Sequence, residues 1–167
     1  MYFLKFQKIF LCLCFVLFPM CSSAVSIKNF YELTFSILSY VKWDSENQIF
    51  CILNNEQVAS NFSKYASDNH YNYKVYSVSD KHLSKSPCNI IFFTSNISAQ
   101  QQNILLSNNL KSIPISFILD NSDCDASIIF CIYRRKDDFT FNVNLDALSQ
   151  SHIHIDPRVL LLVKETN

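Results

Sequence analysis

Apolar positions repeat with two different periods along this chain. Phe30, Leu33, Ile37 and Val41 recur at helical spacing, and Asn29 is placed to cap them, so a helix is predicted there. Ile49-Phe-Cys-Ile-Leu53 is a short unbroken apolar run, suited to a buried strand. A second helix is predicted from Glu56 to about Ser67, with Val58, Phe62 and Tyr65 on one side. Tyr73-Lys-Val-Tyr-Ser-Val78 alternates as a strand does, and Ile90-Ile-Phe-Phe93 reads as another buried strand. Ser98 caps a predicted helix to about Leu106, and Ile115-Ser-Phe-Ile-Leu119 is a fourth strand.

Strands alternating with helices imply an α/β layered domain whose sheet is largely parallel. Beyond Asn121 the pattern changes. Ser127 to Tyr133 and Phe139 to Leu145 are two predicted strands separated by the charged run Arg134-Arg-Lys-Asp-Asp138, hence an antiparallel hairpin. Asn144 then caps a helix that begins Leu145-Asp-Ala-Leu. A short extended run, 152–155, leads to Asp156-Pro157, a helix-start signal in which proline takes the first position because its missing N–H is not needed there. Val159 to Val163 make the last helix almost wholly apolar, so it is either buried or pressed on a partner. The expected fold is a single α/β domain: a mixed, mostly parallel sheet flanked by helices, ending in a hairpin and a final helix.

The N-terminus lies outside that pattern. Lys5 and Lys8 flank an apolar stretch, Ile9 to Met20, and Ser22-Ser-Ala24 supplies small residues for cleavage. Residues 1–24 therefore read as a secretory signal peptide and 25–167 as the domain, which implies an exported protein. An uncleaved anchor is the alternative, although the run is shorter than the ~20 residues a membrane span needs. A lipoprotein at Cys21 is disfavoured by Met20 and Pro19 before it. Lys5 and Lys8 are the only charged residues of that segment, so the remainder is close to neutral, with a slight acidic excess. It carries no basic stripe, and nucleic acid is a poor candidate partner.

The chain contains no glycine. Glycine-rich phosphate loops, dinucleotide fingerprints and the nucleophile elbow of serine hydrolases are all excluded by that single fact. Turns and helix ends must use Asn, Asp and Ser instead, Asn foremost. Four cysteines remain after residue 24: Cys51, Cys88, Cys124 and Cys131. In an exported chain an even count implies disulfides, with three connectivities open. Sequence position favours Cys51–Cys88, beside two neighbouring strands, and Cys124–Cys131, across a local bend. Neither spacing is C-x-x-C, and a cysteine nucleophile would have to stay reduced in an oxidising compartment.

His152 and His154 would share a side of an extended segment, but no third ligand at a convincing spacing accompanies them, and His70 and His82 are distant in sequence. They read as surface histidines. The acidic spots at Asp120 to Asp125 and Asp137-Asp138 fall in predicted turns. Trp43, the single tryptophan, reads as a packing residue at a helix end, with an interface anchor as the alternative. No catalytic group, metal or cofactor is implied.

Several segments resemble one known family. Ile37-Leu-Ser-Tyr-Val-Lys-Trp43, Phe50-Cys-Ile, Pro87-Cys-Asn, Asp123-Cys-Asp, Phe130-Cys-Ile and above all Phe141-Asn-Val-Asn-Leu-Asp-Ala-Leu-Ser149 resemble the YfiR family, most closely its enterobacterial branch. The resemblance implies the same two disulfides and an exported repressor, not an enzyme. Its partner would be the periplasmic sensor part of an inner-membrane diguanylate cyclase like YfiN. Repression would lower cyclic di-GMP and biofilm formation and be relieved on reduction. It also suggests a homodimer. Asp44 stands where a proline commonly follows the tryptophan, and Pro87 and His152 stand where glycine is usual, so the turn before Ile153 is expected to be reshaped. Asp146, Arg158 and Leu162 are the candidate partner-binding residues. A small-ligand-binding module without a cyclase partner is the alternative reading, because α/β sheets bind ligands beyond the carboxyl ends of their strands.

Overall fold

A computed structural model describes residues 27–44, 47–94, 97–107, 113–124 and 127–163. The expected signal segment, 1–24, lies outside the described residues. Helix α1 (Phe30–Leu38) is followed by β1 (Gln48–Leu53), α2 (Glu56–Asp68), β2 (Tyr73–Val78), the short α3 (Asp80–Leu83) and β3 (Ile90–Phe93). Then come α4 (Ala99–Ser107), β4 (Ile115–Leu119), β5 (Phe130–Arg135), β6 (Asp138–Val143), α5 (Leu145–Ser151) and a 3-10 helix, Pro157–Leu162.

The six strands form one sheet in the order β2-β1-β3-β4-β5-β6. Every neighbouring pair is parallel except β5 and β6, which form the antiparallel hairpin with Arg135 opposite Asp138. The inner strands β1, β3 and β4 are apolar runs because both their faces are covered. One face carries Phe50, Ile52, Ile90, Phe92, Phe117, Phe130 and Phe141 and packs against α1, α2, α5 and Val159 of the 3-10 helix. Phe62 of α2 sits among the rings of Phe30, Tyr31, Phe35, Phe50 and Phe92. The other face carries Cys51, Leu53, Ile91, Phe93, Ile118 and Cys131 under Leu83 of α3 and Leu106 of α4.

Both disulfides belong to this second, thinner face. Cys51 of β1 is bonded to Cys88 just before β3, and Cys124 to Cys131 of β5, the pairing that sequence position favours. Asn29, Asn55 and Asn144 each accept a hydrogen bond from the backbone N–H three residues on, capping α1, α2 and α5. Ser98 does the same for α4 through the N–H of Gln101.

Four details differ from the sequence reading. The hairpin strands run over Phe130–Arg135 and Asp138–Val143, so they meet at a two-residue turn, Lys136-Asp137. The last apolar helix is 3-10 rather than α. Helix α3 has too few residues to show a period. Positive φ is adopted by Asn54 and Asp120, as expected, but also by His70, Cys124, Lys136 and His152.

Candidate interaction surface

The chain after β6 is laid down by local signals. Asn144 starts α5, and the helix ends at His152, whose φ of 56° and ψ of 15° place it in the left-handed region. A side chain with a Cβ thus occupies the conformation that glycine takes most cheaply, at a cost of ~1 kcal/mol. The turn keeps its left-handed cap with histidine in place, which corrects the expectation that it is reshaped.

Ile153 to Asp156 then run alongside the end of α1. Lys42 N–H donates to the His154 carbonyl (2.9 Å), Asp156 N–H donates to the Tyr40 carbonyl (2.9 Å), and Val41 and Ile155 form an antiparallel bridge. This pairing fixes the start of the 3-10 helix. Asp156 caps it, accepting from the backbone N–H of Arg158 (2.9 Å), and the Arg158 guanidinium closes onto both carboxylate oxygens at 2.5–3.0 Å. Hydrogen bonds from Arg158 hold the Asp156 carboxyl down at about 2. The reciprocal bonds raise the guanidinium pKa of Arg158.

Held this way, the apolar run divides. Val159 is buried, and Leu162 and Val163 are half-buried against the aromatic face of the sheet. Leu160 and Leu161 are left 51% and 80% exposed, and Leu145 at the start of α5 is 67% exposed. Among the described residues no helix is long and apolar enough to cross a membrane.

The three candidate residues take different places. Asp146 is exposed in the first turn of α5, while Arg158 and Leu162 lie on the 3-10 helix. Arg158 is engaged with Asp156 rather than with Asp146. Leu160 and Leu161 were hidden in the sequence by a run of like residues. Only the phase set by Pro157 and the 3-10 turn shows which leucines face outward.

A cleft of about 510 Å³ lies nearby, lined by Trp43, Gln48, Asn89, Pro114, His152 and His154 among others. Trp43 is half-buried, edge-on to Tyr73 at 6.3 Å between ring centroids, as a packing residue would be. Its buried indole N–H makes no well-formed hydrogen bond. The Tyr73 hydroxyl is close enough for the indole to oppose, in part, the burial that raises the Tyr73 pKa. His152 and His154 both reach this cleft. Among the described residues no three His, Cys, Asp or Glu side chains gather in metal-binding geometry.

The sequence model described as YfiR/HmsC-like matches residues 31–164, nearly the whole of the described domain. The chain belongs to the YfiR/HmsC-like family. Within this YfiR/HmsC-like domain, the match runs from α1 through both disulfides to the 3-10 helix, so it includes every element of the candidate surface.

Proposed function

We propose that this chain is an exported periplasmic regulator, not an enzyme, that binds the sensor part of an inner-membrane diguanylate cyclase and holds it inactive. Membership in the YfiR/HmsC-like family supports the role, and the outward leucines of the capped 3-10 helix carry the proposal of where contact is made. Exposed leucines cost little where they are but gain on being covered, at ~25 cal/mol per Å² of apolar surface removed from water. Asp146 and Arg158 add charge at the rim, and Leu162 supports the surface from beneath. Repression follows if the regulator binds the cyclase's inactive state better than its active one. Lower cyclic di-GMP and reduced biofilm formation are the consequences.

Redox control fits the same frame. Cys124 is the partly exposed member of its disulfide, at positive φ, and the bond anchors the loop before β5. Its reduction would free that loop, loosen β5 and β6, and weaken the bias on the cyclase. Binding of the purified protein to the cyclase's periplasmic domain tests the proposal. Leu160→Asp with Leu161→Asp should abolish binding while leaving the melting temperature nearly unchanged, and Asp146→Ala and Arg158→Ala should weaken it. Full binding by all of these variants contradicts the assignment. The cleft beside Trp43 favours one further reading, a small ligand held there as the regulator's own signal. A ligand-induced rise in melting temperature that Trp43→Phe removes would support it.

A further inference from the structure

The two edges of the sheet differ. At the β6 edge, Phe139 N–H donates to the Ile27 carbonyl (2.9 Å) and the Asn142 side chain donates to the Ser122 carbonyl (2.6 Å), so flanking chain covers it. At the other edge β2 pairs with β1 from Tyr73 to Val78, and among the described residues no segment lies beyond it. The Val78 carbonyl accepts from Asn54 N–H (2.9 Å) on the β1 side, so by strand alternation Lys74 and Tyr76 also bond toward β1. Tyr73, Val75 and Ser77 therefore turn their N–H and C=O groups away from the sheet. Proline and bulges, which commonly blunt such an edge, are missing from β2.

Beside that row of backbone groups lies an open groove of about 650 Å³, walled by Val75 and Ser77 of β2 on one side and by Ala59, Ser60, Ser63 and Ser67 of α2 on the other. The short side chains of α2 leave this space free along the strand. We propose that an extended segment of another protein adds antiparallel to β2 as one more strand, with alternate side chains entering the groove. The backbone selects that occupant. Donors and acceptors presented at every second residue match an extended chain, whereas a helix has already bonded its own groups internally. Strand addition is a recurrent mode of peptide recognition, in which main-chain bonds give affinity and pockets for alternate side chains give selectivity. None of these residues belongs to the outward leucine surface.

The side chains of β2 set the chemistry of the segment. Tyr73 and Val75 pack toward the aromatic face, beside α2, while Lys74 and Tyr76 stand exposed on the other face. Directly opposed residues of paired strands share a face. The residue opposite Val75 therefore enters the groove, where valine or threonine fits against the serine wall. A carboxylate is complementary opposite Lys74, and a β-branched or aromatic residue opposite Tyr76 covers its exposed ring. A second copy of this chain suits the edge less well. Across a two-fold axis it would bring Ser60, Ser63 and Lys64 of one α2 toward the same residues of the other. Stable contacts between proteins bury ~1,000 Å² or more around an apolar centre, and these walls are hydroxyl and charge. An inserted peptide brings the apolar side chains itself.

Selection of phage-displayed random peptides against the purified protein, followed by synthesis of the enriched ones, tests this. The expected peptides alternate β-branched residues, carry a carboxylate, and shift the NMR signals of the Tyr73, Val75 and Ser77 amides. Val75→Pro removes one outward N–H without touching the β1–β2 bonds and should weaken their binding roughly tenfold. Ser63→Trp, on the exposed side of α2, should fill the groove with a similar loss, with no need for the proline variant to fold. Lys74→Glu should turn the selected preference from acidic to basic peptides. The proposal is overturned if no peptide is enriched, or if binding survives both Val75→Pro and Ser63→Trp. Enriched sequences that copy residues 73–78 of this chain would also overturn it, by making the occupant a second copy.

Discussion

At the scale of single residues, the absence of glycine leaves its mark on the backbone. Left-handed positions that glycine would fill at no steric cost are held by Asn54, His70, Asp120, Cys124, Lys136 and His152. Asparagine and aspartate were foreseeable there, because their short polar side chains suit that region. Histidine, lysine and cysteine were not, since no side-chain property marks them; the fold simply requires a turn where they stand. Lys136 opens the two-residue hairpin turn, a place where primed turns favour glycine. Lys136→Gly is therefore expected to raise stability by ~0.5–1 kcal/mol in urea denaturation, and a loss of stability would contradict the strain argument. Asp156 supplies a pH test. Its carboxyl, held at about 2 by Arg158, is below its value in the unfolded chain, so its contribution is present at neutral pH and is lost as pH falls through about 2. An NMR titration should place its midpoint near that value, and Arg158→Ala should move it up into the ordinary carboxylate range. A midpoint unchanged by that substitution would show that the pair does not hold the cap.

Among elements, those with a long period or a polar cap were legible, and those decided by tertiary context were not. The buried strands β1, β3 and β4 read directly from unbroken apolar runs, and the helix starts at Asn29, Ser98, Asn144 and Asp156 read from their capping side chains. The end of the chain did not. Pro157 followed by apolar residues looks the same for α and 3-10 geometry, and the bridge between Val41 and Ile155 that constrains it spans most of the sequence. The candidate site was thus legible as a segment, through Asp146, Arg158 and Leu162, but not as a surface, which depends on Leu160 and Leu161 facing outward. Disulfide loops give a ranking. Cys51–Cys88 closes 37 residues and Cys124–Cys131 closes 7. In the chain-entropy model, replacing the first pair with alanine should cost ~4 kcal/mol and the second ~2.5. Denaturation of the two double variants checks the order, and a larger loss from the short loop would require native strain or lost packing to dominate.

Over the whole molecule, the two faces of the sheet divide the labour. The aromatic face, centred on Phe62 and the phenylalanines of the strands, holds α1, α2, α5 and the 3-10 helix to one side, which sets the outward leucines on a firm base. Truncating that base should be costly: Phe62→Ala is expected to lose ~3–5 kcal/mol, measured by thermal or urea unfolding, and a loss below ~1 kcal/mol would mean the ring network is not the core it looks to be. The thinner face carries both disulfides, so a reducing environment acts on the side of the sheet opposite the aromatic packing. β5 and β6 lead into α5, the route by which the proposed redox loosening would reach the candidate surface. The most direct test of the account is cellular cyclic di-GMP in the native host with this gene intact, deleted, and deleted together with the partner cyclase. Repression predicts a rise on deletion that disappears in the double deletion; an unchanged level, with the protein made and exported, would contradict it.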